Sequence, residues 1–174
     1  MSTWTKKVMF VGLSRWFEQL LAACFRKEGW EVCRLRGAAG EKPPQGIQTY
    51  DCAPESEGAE AVFAVQNLDL LVHRLERDPA HAMERLDVLL RLARQSKVKR
   101  VFLLSGSDVF APGTTPVETD VPSPQTEEGQ LLVRLETLGN VYREQGLPVS
   151  ILRMAELYAP GQTSDDGFVG RLFG

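Results

Sequence analysis

The fold follows from one stretch near the N-terminus, KKVMFVGLSRWFEQLLAACFRKEGWEVCRLR, which runs from Lys6 to Arg36. Its apolar run Val8 to Val11 ends at Gly12 and indicates a short buried strand. From Trp16 the apolar residues recur at helical spacing as far as Gly29, a residue that favours a helix end. A second extended apolar segment follows. Strand, turn, helix and strand within about 30 residues predict a βαβ unit, whose first turn can present a helix N-terminus to a phosphate.

The rest of the chain continues this alternation. Further strands are predicted at 30–35, 47–51, 68–72, 101–104 and 148–152, and further helices at 59–66, 78–95 and 127–145. Such alternation predicts one domain, 1–174, with a parallel sheet and helices on both faces. About six strands in the order 3-2-1-4-5-6 would be the dinucleotide-binding arrangement. The strand ends expected to share its ligand-binding edge are Gly12, Asp51, His73 and Ser105.

Composition excludes several classes of function. The chain has 174 residues with a net charge of -3, so one sizeable core is expected and no basic field indicates nucleic acid. The N-terminal residues do not resemble a leader peptide, and no apolar run reaches about 18 residues. The sequence therefore predicts no membrane segment. Cys24 and Cys33 are interpreted as reduced core residues, which favours a cytoplasmic protein. The two histidines, His73 and His81, form no metal-ligand pattern.

Three later segments carry a family resemblance. They are VKRVFLLSGSDVF (Val98–Phe110), PVETDVPSPQTEEGQLLVRLE (Pro116–Glu136) and LPVSILRMAELYAPGQ (Leu147–Gln162). In order and spacing the chain resembles the extended short-chain dehydrogenases, the NAD-dependent epimerase/dehydratase family, over nearly its whole length. The resemblance implies a Rossmann-like doubly wound parallel sheet. It also implies a C-terminal substrate domain, which is expected to be absent or truncated in a chain that stops at Gly174.

The family's glycine-rich turn is degenerate here. Its Gly-x-x-Gly-x-x-Gly pattern falls on Gly12, Arg15 and Glu18, so one glycine of three is present. The missing glycines would let a pyrophosphate approach the backbone and the helix pack closely on the sheet. Arg15 has to point outward or meet the phosphates with its own charge, while Glu18 suits the helix dipole but repels a pyrophosphate. The alternative is a strand–helix connection that binds no ligand.

Candidate dinucleotide-binding residues follow from the same alignment. They are Gly12, Ser14, Arg15, Trp16, Phe17, Arg34, Arg36, Asp51, Cys52 and His73. Asp51 either accepts a hydrogen bond from the adenine or caps the next turn. Arg34 and Arg36 either accommodate the 2′-phosphate of NADP(H) or are solvated on both sides of a buried Leu35. The cofactor is therefore NADP(H) or NAD(H), or none.

His73 matches the family's histidine beside the pyrophosphate. Arg74 and Leu75 follow it, where the family has small residues that leave room for the cofactor. This bulk is a second argument against tight binding.

The family's catalytic positions have also lost their chemistry. There a Ser or Thr polarises the substrate carbonyl, a Tyr transfers the proton, and a Lys lowers the Tyr pKa and holds the ribose. The matching positions are Gly106, Glu128 and Leu132. An exposed glutamate is already ionised at neutral pH and is no acid catalyst, so Glu128 is interpreted as a solvated helix-start residue and Leu132 as core. The remaining candidates for catalysis are Ser105, Ser107, Glu128 and Tyr158, the last matching the family's Val-Tyr-Gly-Pro tyrosine.

Two functions of different class are therefore expected. The first is a catalytically degenerate protein with an NAD(P)-binding fold, either a weak NADP(H) binder or sensor or an interaction subunit. The alternative is an active NAD(P)-dependent epimerase, dehydratase or reductase with relocated catalytic groups. A homodimer through the helix at 127–145 is expected by analogy with the family.

Overall fold

The computed structural model describes residues 5–36 and 46–155. In chain order its elements are β1 (Lys7–Val11), α1 (Arg15–Lys27), β2 (Glu31–Arg36), β3 (Gln48–Asp51), α2 (Glu57–Gln66), β4 (Leu70–Arg74), α3 (Ala82–Gln95), β5 (Arg100–Gly106), a 3-10 turn (Ser107–Val109), α4 (Glu127–Glu144) and β6 (Val149–Met154). Every predicted strand and helix within the described ranges is present, with ends that differ by a few residues.

All strand pairs in the sheet are parallel, and the order is β3-β2-β1-β4-β5-β6. This confirms the predicted doubly wound topology. Val11 lies beside His73 across the β1–β4 pair, and Arg36 lies beside Asp51 across the β2–β3 pair. The carboxyl ends of the strands therefore meet at one edge, and the strand order reverses between β1 and β4.

Successive side chains of each strand enter opposite layers because a strand has a period of two. In β1, Val8 and Phe10 join the core under α1, whereas Met9 and Val11 join the larger core under α2, α3 and α4. Both layers are apolar, as expected of a parallel sheet that is covered on both faces.

Some apolar residues at helical spacing, which the sequence assigns to the buried faces of the helices, are exposed in the structure. Cys24 is exposed rather than part of the core, and Met83 and Val141 are 38% and 41% exposed. Each helical residue turns by ~100°, which places Cys24 well outside the stripe that contains Ala22. Val141 likewise falls outside the buried stripe through Leu135. Met83 lies in the first turn of α3, at the margin of the buried face.

The start of α4 is fixed by a side-chain cap and a close backbone contact. The Oγ1 atom of Thr126 accepts a hydrogen bond from the Gly129 backbone N–H at 3.0 Å. A Cβ atom at Gly129 would overlap the backbone carbonyl of Asp108. The first turn of α4 is therefore held against the segment that follows β5. No helix within the described ranges is long and apolar enough to cross a bilayer.

Candidate functional site

The turn after β1 needs its glycine for structural reasons alone. Gly12 has a φ of +72°, a conformation that side chains disfavour. A Cβ at this position would also lie 3.2 Å from the carbonyl oxygen of Arg74. The single retained glycine of the motif is thus required by the backbone, whether or not a phosphate binds beside it.

His73 joins the ends of the two central strands. Its side chain is buried, and Nδ1 lies 3.1 Å from the carbonyl oxygen of Val11. Because a carbonyl only accepts, Nδ1 carries the proton and donates. Burial lowers the pKa of His73 to about 4, so the ring is neutral at pH 7. This histidine ties β4 to β1 beneath the Gly12 turn.

Glu18 and Arg34 form a buried ion pair between α1 and β2. Arg34 Nη1 donates to Glu18 Oε2 at 2.8 Å, and Arg34 Nε donates to Thr49 Oγ1 at 3.0 Å. Both charged side chains are no more than 5% exposed. Strand alternation places Arg34 on the α1 face beside Val32, within reach of the first helical turn.

Two sequence-based interpretations are corrected by this pair. Glu18 is turned inward and is not presented to a pyrophosphate. Arg34 is neither solvated nor available to a 2′-phosphate, because it is buried against Glu18.

Arg36 and Asp51 form a second ion pair, at the carboxyl ends of β2 and β3. Arg36 donates to Asp51 Oδ1 from Nη2 at 2.7 Å and from Nε at 3.0 Å. The next helix, α2, has its own N-cap, since Ser56 accepts from the Ala59 N–H. Cys52, the next candidate, is half-buried, and burial raises the pKa of its thiol.

The remaining predicted cofactor contacts lie in the first turn of α1. Ser14 is the helix N-cap, but its side chain makes no capping hydrogen bond. Arg15 is exposed, which is compatible with both interpretations of its side chain: pointing outward, or meeting the phosphates with its charge. Trp16 and Phe17 are half-buried with ring centroids 5.4 Å apart. The first turn therefore leaves backbone N–H groups at the ligand-binding edge without a side-chain cap.

The positions matched to the family's catalytic residues do come together. A Cβ at Gly106 would lie 3.4 Å from Leu132 Cδ1, 3.1 Å from Asp108 Oδ2 and 3.2 Å from Arg77 Nη2. Arg77 donates to Asp108 Oδ2 at 3.1 Å and forms an ion pair with Glu128 through Nη1. Leu132 is core, as predicted. Glu128 is not simply solvated, because it is half-buried and holds Arg77.

Arg77 and Asp108 are not predicted by any sequence pattern. Arg77 stands in a charged segment past the end of β4, and only the folded chain brings it over the end of β5. Arg74 lies nearby at the edge of the sheet, where partial desolvation and then the charge of Arg77 lower the pKa of its guanidinium. Leu75 is turned into the core, so of the two bulky residues Arg74 alone remains at the edge.

The other catalytic candidates do not join this cluster. Ser105 is 5% exposed, and its Oγ has no hydrogen-bond partner within the described part of the chain. Ser107 is exposed at the start of the 3-10 turn. Tyr158 lies outside the described residues. Across residues 5–36 and 46–155, no group of three or more His, Cys, Asp or Glu side chains is placed to hold a metal ion.

Solved structures share this fold at low sequence identity. UDP-glucuronic acid 4-epimerase from Bacillus cereus, in complex with NAD, matches with a TM-score of 0.76 and 19% identity over 95% of this chain and 61% of that chain. UDP-glucose 4-epimerase from Thermotoga maritima, with UDP-glucose, matches at 0.78 and 20% over 94% and 60%. The NAD complex of UDP-glucose 4-epimerase from Thermus thermophilus matches at 0.75 and 22% over 91% and 58%.

The chain has the fold of the UDP-sugar 4-epimerases. It spans about 60% of the length of these structures. No family model and no curated protein matches the sequence. These matches show the fold alone, and any conclusion about ligand binding or activity depends on the site residues.

Proposed function

We propose that this chain is a catalytically degenerate protein that binds a nicotinamide dinucleotide weakly and does not turn it over. The observation that carries the proposal is the state of the catalytic positions. Gly106 offers no hydroxyl, Leu132 offers no charge, and Glu128 is engaged by Arg77. An ion-paired carboxylate is an acceptor and not a proton donor, so none of the three supplies the acid that carbonyl reduction needs.

The adenosine half of the crevice supports weak binding. The Gly12 turn and the first turn of α1 are present at the edge where the strand order reverses, which is where dinucleotides bind in this topology. Glu18 is turned inward, so it does not repel a phosphate through direct contact. The bulk of Arg15 at the second glycine position still keeps a pyrophosphate from the backbone.

A preference for the phosphorylated dinucleotide is not expected. Arg36 is held by Asp51, whose side chain is 52% exposed, so a 2′-phosphate placed at Arg36 would also meet this carboxylate. The proposal therefore covers NADH and NADPH alike, in contrast to the preference for NADP(H) that Arg34 and Arg36 suggested in the sequence.

Thermal unfolding in the presence of NADH, NADPH and their oxidised forms tests the binding. For a dissociation constant of about 1 mM, ligand at about 5 mM should stabilise the fold by ~1 kcal/mol, a rise in Tm of roughly 2–4 °C. NADH and NADPH should give the same shift. If neither form shifts the Tm, dinucleotide binding is excluded and the role of interaction subunit remains.

The absence of turnover is tested separately. The protein is incubated with NAD and either UDP-glucose or UDP-glucuronic acid, and product formation and nicotinamide absorbance are followed. We expect neither to change. A defined activity that disappears in Glu128→Gln would contradict the proposal and favour an enzyme with relocated catalytic groups.

A further inference from the structure

The guanidinium of Arg77 spans the crevice at the end of β5. It comes from the segment after β4 and contacts Asp108 in the 3-10 turn and Glu128 in the first turn of α4. It also lies directly over Gly106, with Nη2 3.2 Å from the place of a Cβ atom. One side chain thus joins the segments that follow β4 and β5 to the start of α4.

Arg77 lies in the half of the ligand-binding edge that would receive the nicotinamide end of a dinucleotide. A doubly wound sheet binds one mononucleotide over each half, and the halves meet between β1 and β4 in this chain. The Gly12 turn belongs to the first half, and Arg77 belongs to the second. A ring placed over the end of β5 would compete with the guanidinium for the space above Gly106.

The ion pairs of Arg77 are exposed to solvent and can break easily. Its side chain is 45% exposed, and those of Asp108 and Glu128 are 43% and 41% exposed. Ion pairs that are this accessible to water contribute little stability and are screened by salt. The two ion pairs of Arg77 therefore close the crevice but break at little cost in free energy. The buried pair between Glu18 and Arg34 does not break in this way.

We propose that Arg77 is a latch: its guanidinium closes the nicotinamide half of the crevice, and a dinucleotide has to displace it to bind fully. The inference rests on the proposed function, since it explains why binding is weak. If only a fraction of molecules is open, the apparent dissociation constant rises by the inverse of that fraction. Removing the latch should then tighten binding of the part of the ligand that enters this half.

Two ligands and three variants separate the latch from a general effect of charge. NADH and ADP-ribose share the adenosine diphosphate half, but ADP-ribose lacks the nicotinamide ring. Their dissociation constants are measured by calorimetry for the wild type, Arg77→Ala, Arg77→Gln and Arg100→Ala. Arg100 is the control because it is exposed at the opposite end of β5, roughly 20 Å from Gly106. Thermal unfolding of each variant confirms that it is folded.

The latch predicts a change for one ligand only. Both Arg77 variants should bind NADH about tenfold more tightly than the wild type, which corresponds to about 1.4 kcal/mol. Their affinity for ADP-ribose and the affinity of Arg100→Ala for both ligands should not change. Equal NADH binding by the wild type and the Arg77 variants, or no binding at millimolar concentration, would overturn the latch. Tight binding or turnover by the wild type would instead contradict the proposed function.

Discussion

Glu18 and Arg34 illustrate how one substituted glycine changes its surroundings. The third position of the glycine motif normally has no side chain, and here a carboxylate fills the space between α1 and β2. Arg34 provides the compensating charge from the strand below, and Thr49 Oγ1 accepts a further hydrogen bond from it. A buried charge is tolerated only with such partners.

Breaking this pair from one side should be costly. Glu18→Ala leaves the Arg34 charge in the interior, and we expect the free energy of unfolding to fall by about 3–5 kcal/mol. Glu18→Leu combined with Arg34→Met removes both charges and should recover most of that loss. Urea-induced unfolding of the three proteins measures both effects.

The exposed pair at the neighbouring strand ends provides the control. Asp51→Ala removes the carboxylate that Arg36 contacts across the strand ends, but Asp51 is half-exposed, so a loss of at most about 1 kcal/mol is expected. A loss at Asp51 equal to that at Glu18 would show that burial does not determine the energetics of these pairs.

Among the strands and helices, the local sequence is sufficient to predict an element where the apolar periodicity is strong. The apolar run before Gly12 and the spacing of Leu86, Leu89 and Leu90 predicted β1 and α3 from the chain alone. Strand alternation then placed His73 and Asp51 at one edge. The Arg77 contacts could not be predicted in this way, because they join segments that are distant in sequence and depend on where an exposed charge finds a partner.

The burial of Arg34 is not predicted from the sequence, and the reason is physical. An arginine in a strand is usually assigned to solvent, and only the position of Glu18 on the facing helix makes Arg34 acceptable in the interior. The sequence did contain a signal, since Arg34 alternates with Cys33 and Leu35 on a strand that is buried on both faces. A charge on such a strand requires a partner on the covering helix.

The contact between α4 and the end of β5 gives a prediction for a whole helix. Gly129→Ala would place a methyl group against the carbonyl of Asp108 and 2.9 Å from Pro124 Cβ, so the first turn of α4 has to move. We expect a loss of several kcal/mol, by analogy with overpacked cores, which lose about 1–3 kcal/mol and occasionally more. Thermal unfolding measures it.

Gly58→Ala is the matched control, because Gly58 also lies in the first turn of a helix. Its nearest neighbour would be Cys52 Cβ at 3.2 Å, a contact that a small shift relieves, and alanine favours a helix by about 1 kcal/mol. A change near zero is therefore expected there. If both variants lose the same stability, the close contact of α4 with Asp108 is not what restricts position 129.

For the whole molecule, His73 should make stability depend on pH. Its pKa is about 4 when folded, below the value of about 6.5 expected when unfolded. Between these values the unfolded chain binds a proton that the folded chain does not, so stability falls as the pH is lowered. The contribution is complete above about pH 6.5 and should decrease by about 2 kcal/mol between pH 7 and pH 5.

Two asparagine variants isolate this effect. His73→Asn keeps an N–H donor for the Val11 carbonyl but does not titrate, so the difference in stability between pH 7 and pH 5 should shrink by about 2 kcal/mol relative to the wild type. His81→Asn, at the other and exposed histidine, is the matched control for loss of an imidazole, and its stability is measured at the same two pH values. An unchanged slope in His73→Asn would show that carboxylates account for all the acid sensitivity.

The buried pair between α1 and β2 also limits which sequences this chain can reach by single substitutions. Glycine at position 18, which the dinucleotide motif requires, would leave Arg34 without its carboxylate and cost about 3–5 kcal/mol. That is a large part of the 5–15 kcal/mol that keeps a typical domain folded. Replacing Arg34 first removes a charged partner from the buried Glu18 carboxylate. Each order of change therefore passes through a less stable protein, so the altered turn is protected by the interior that accommodates it.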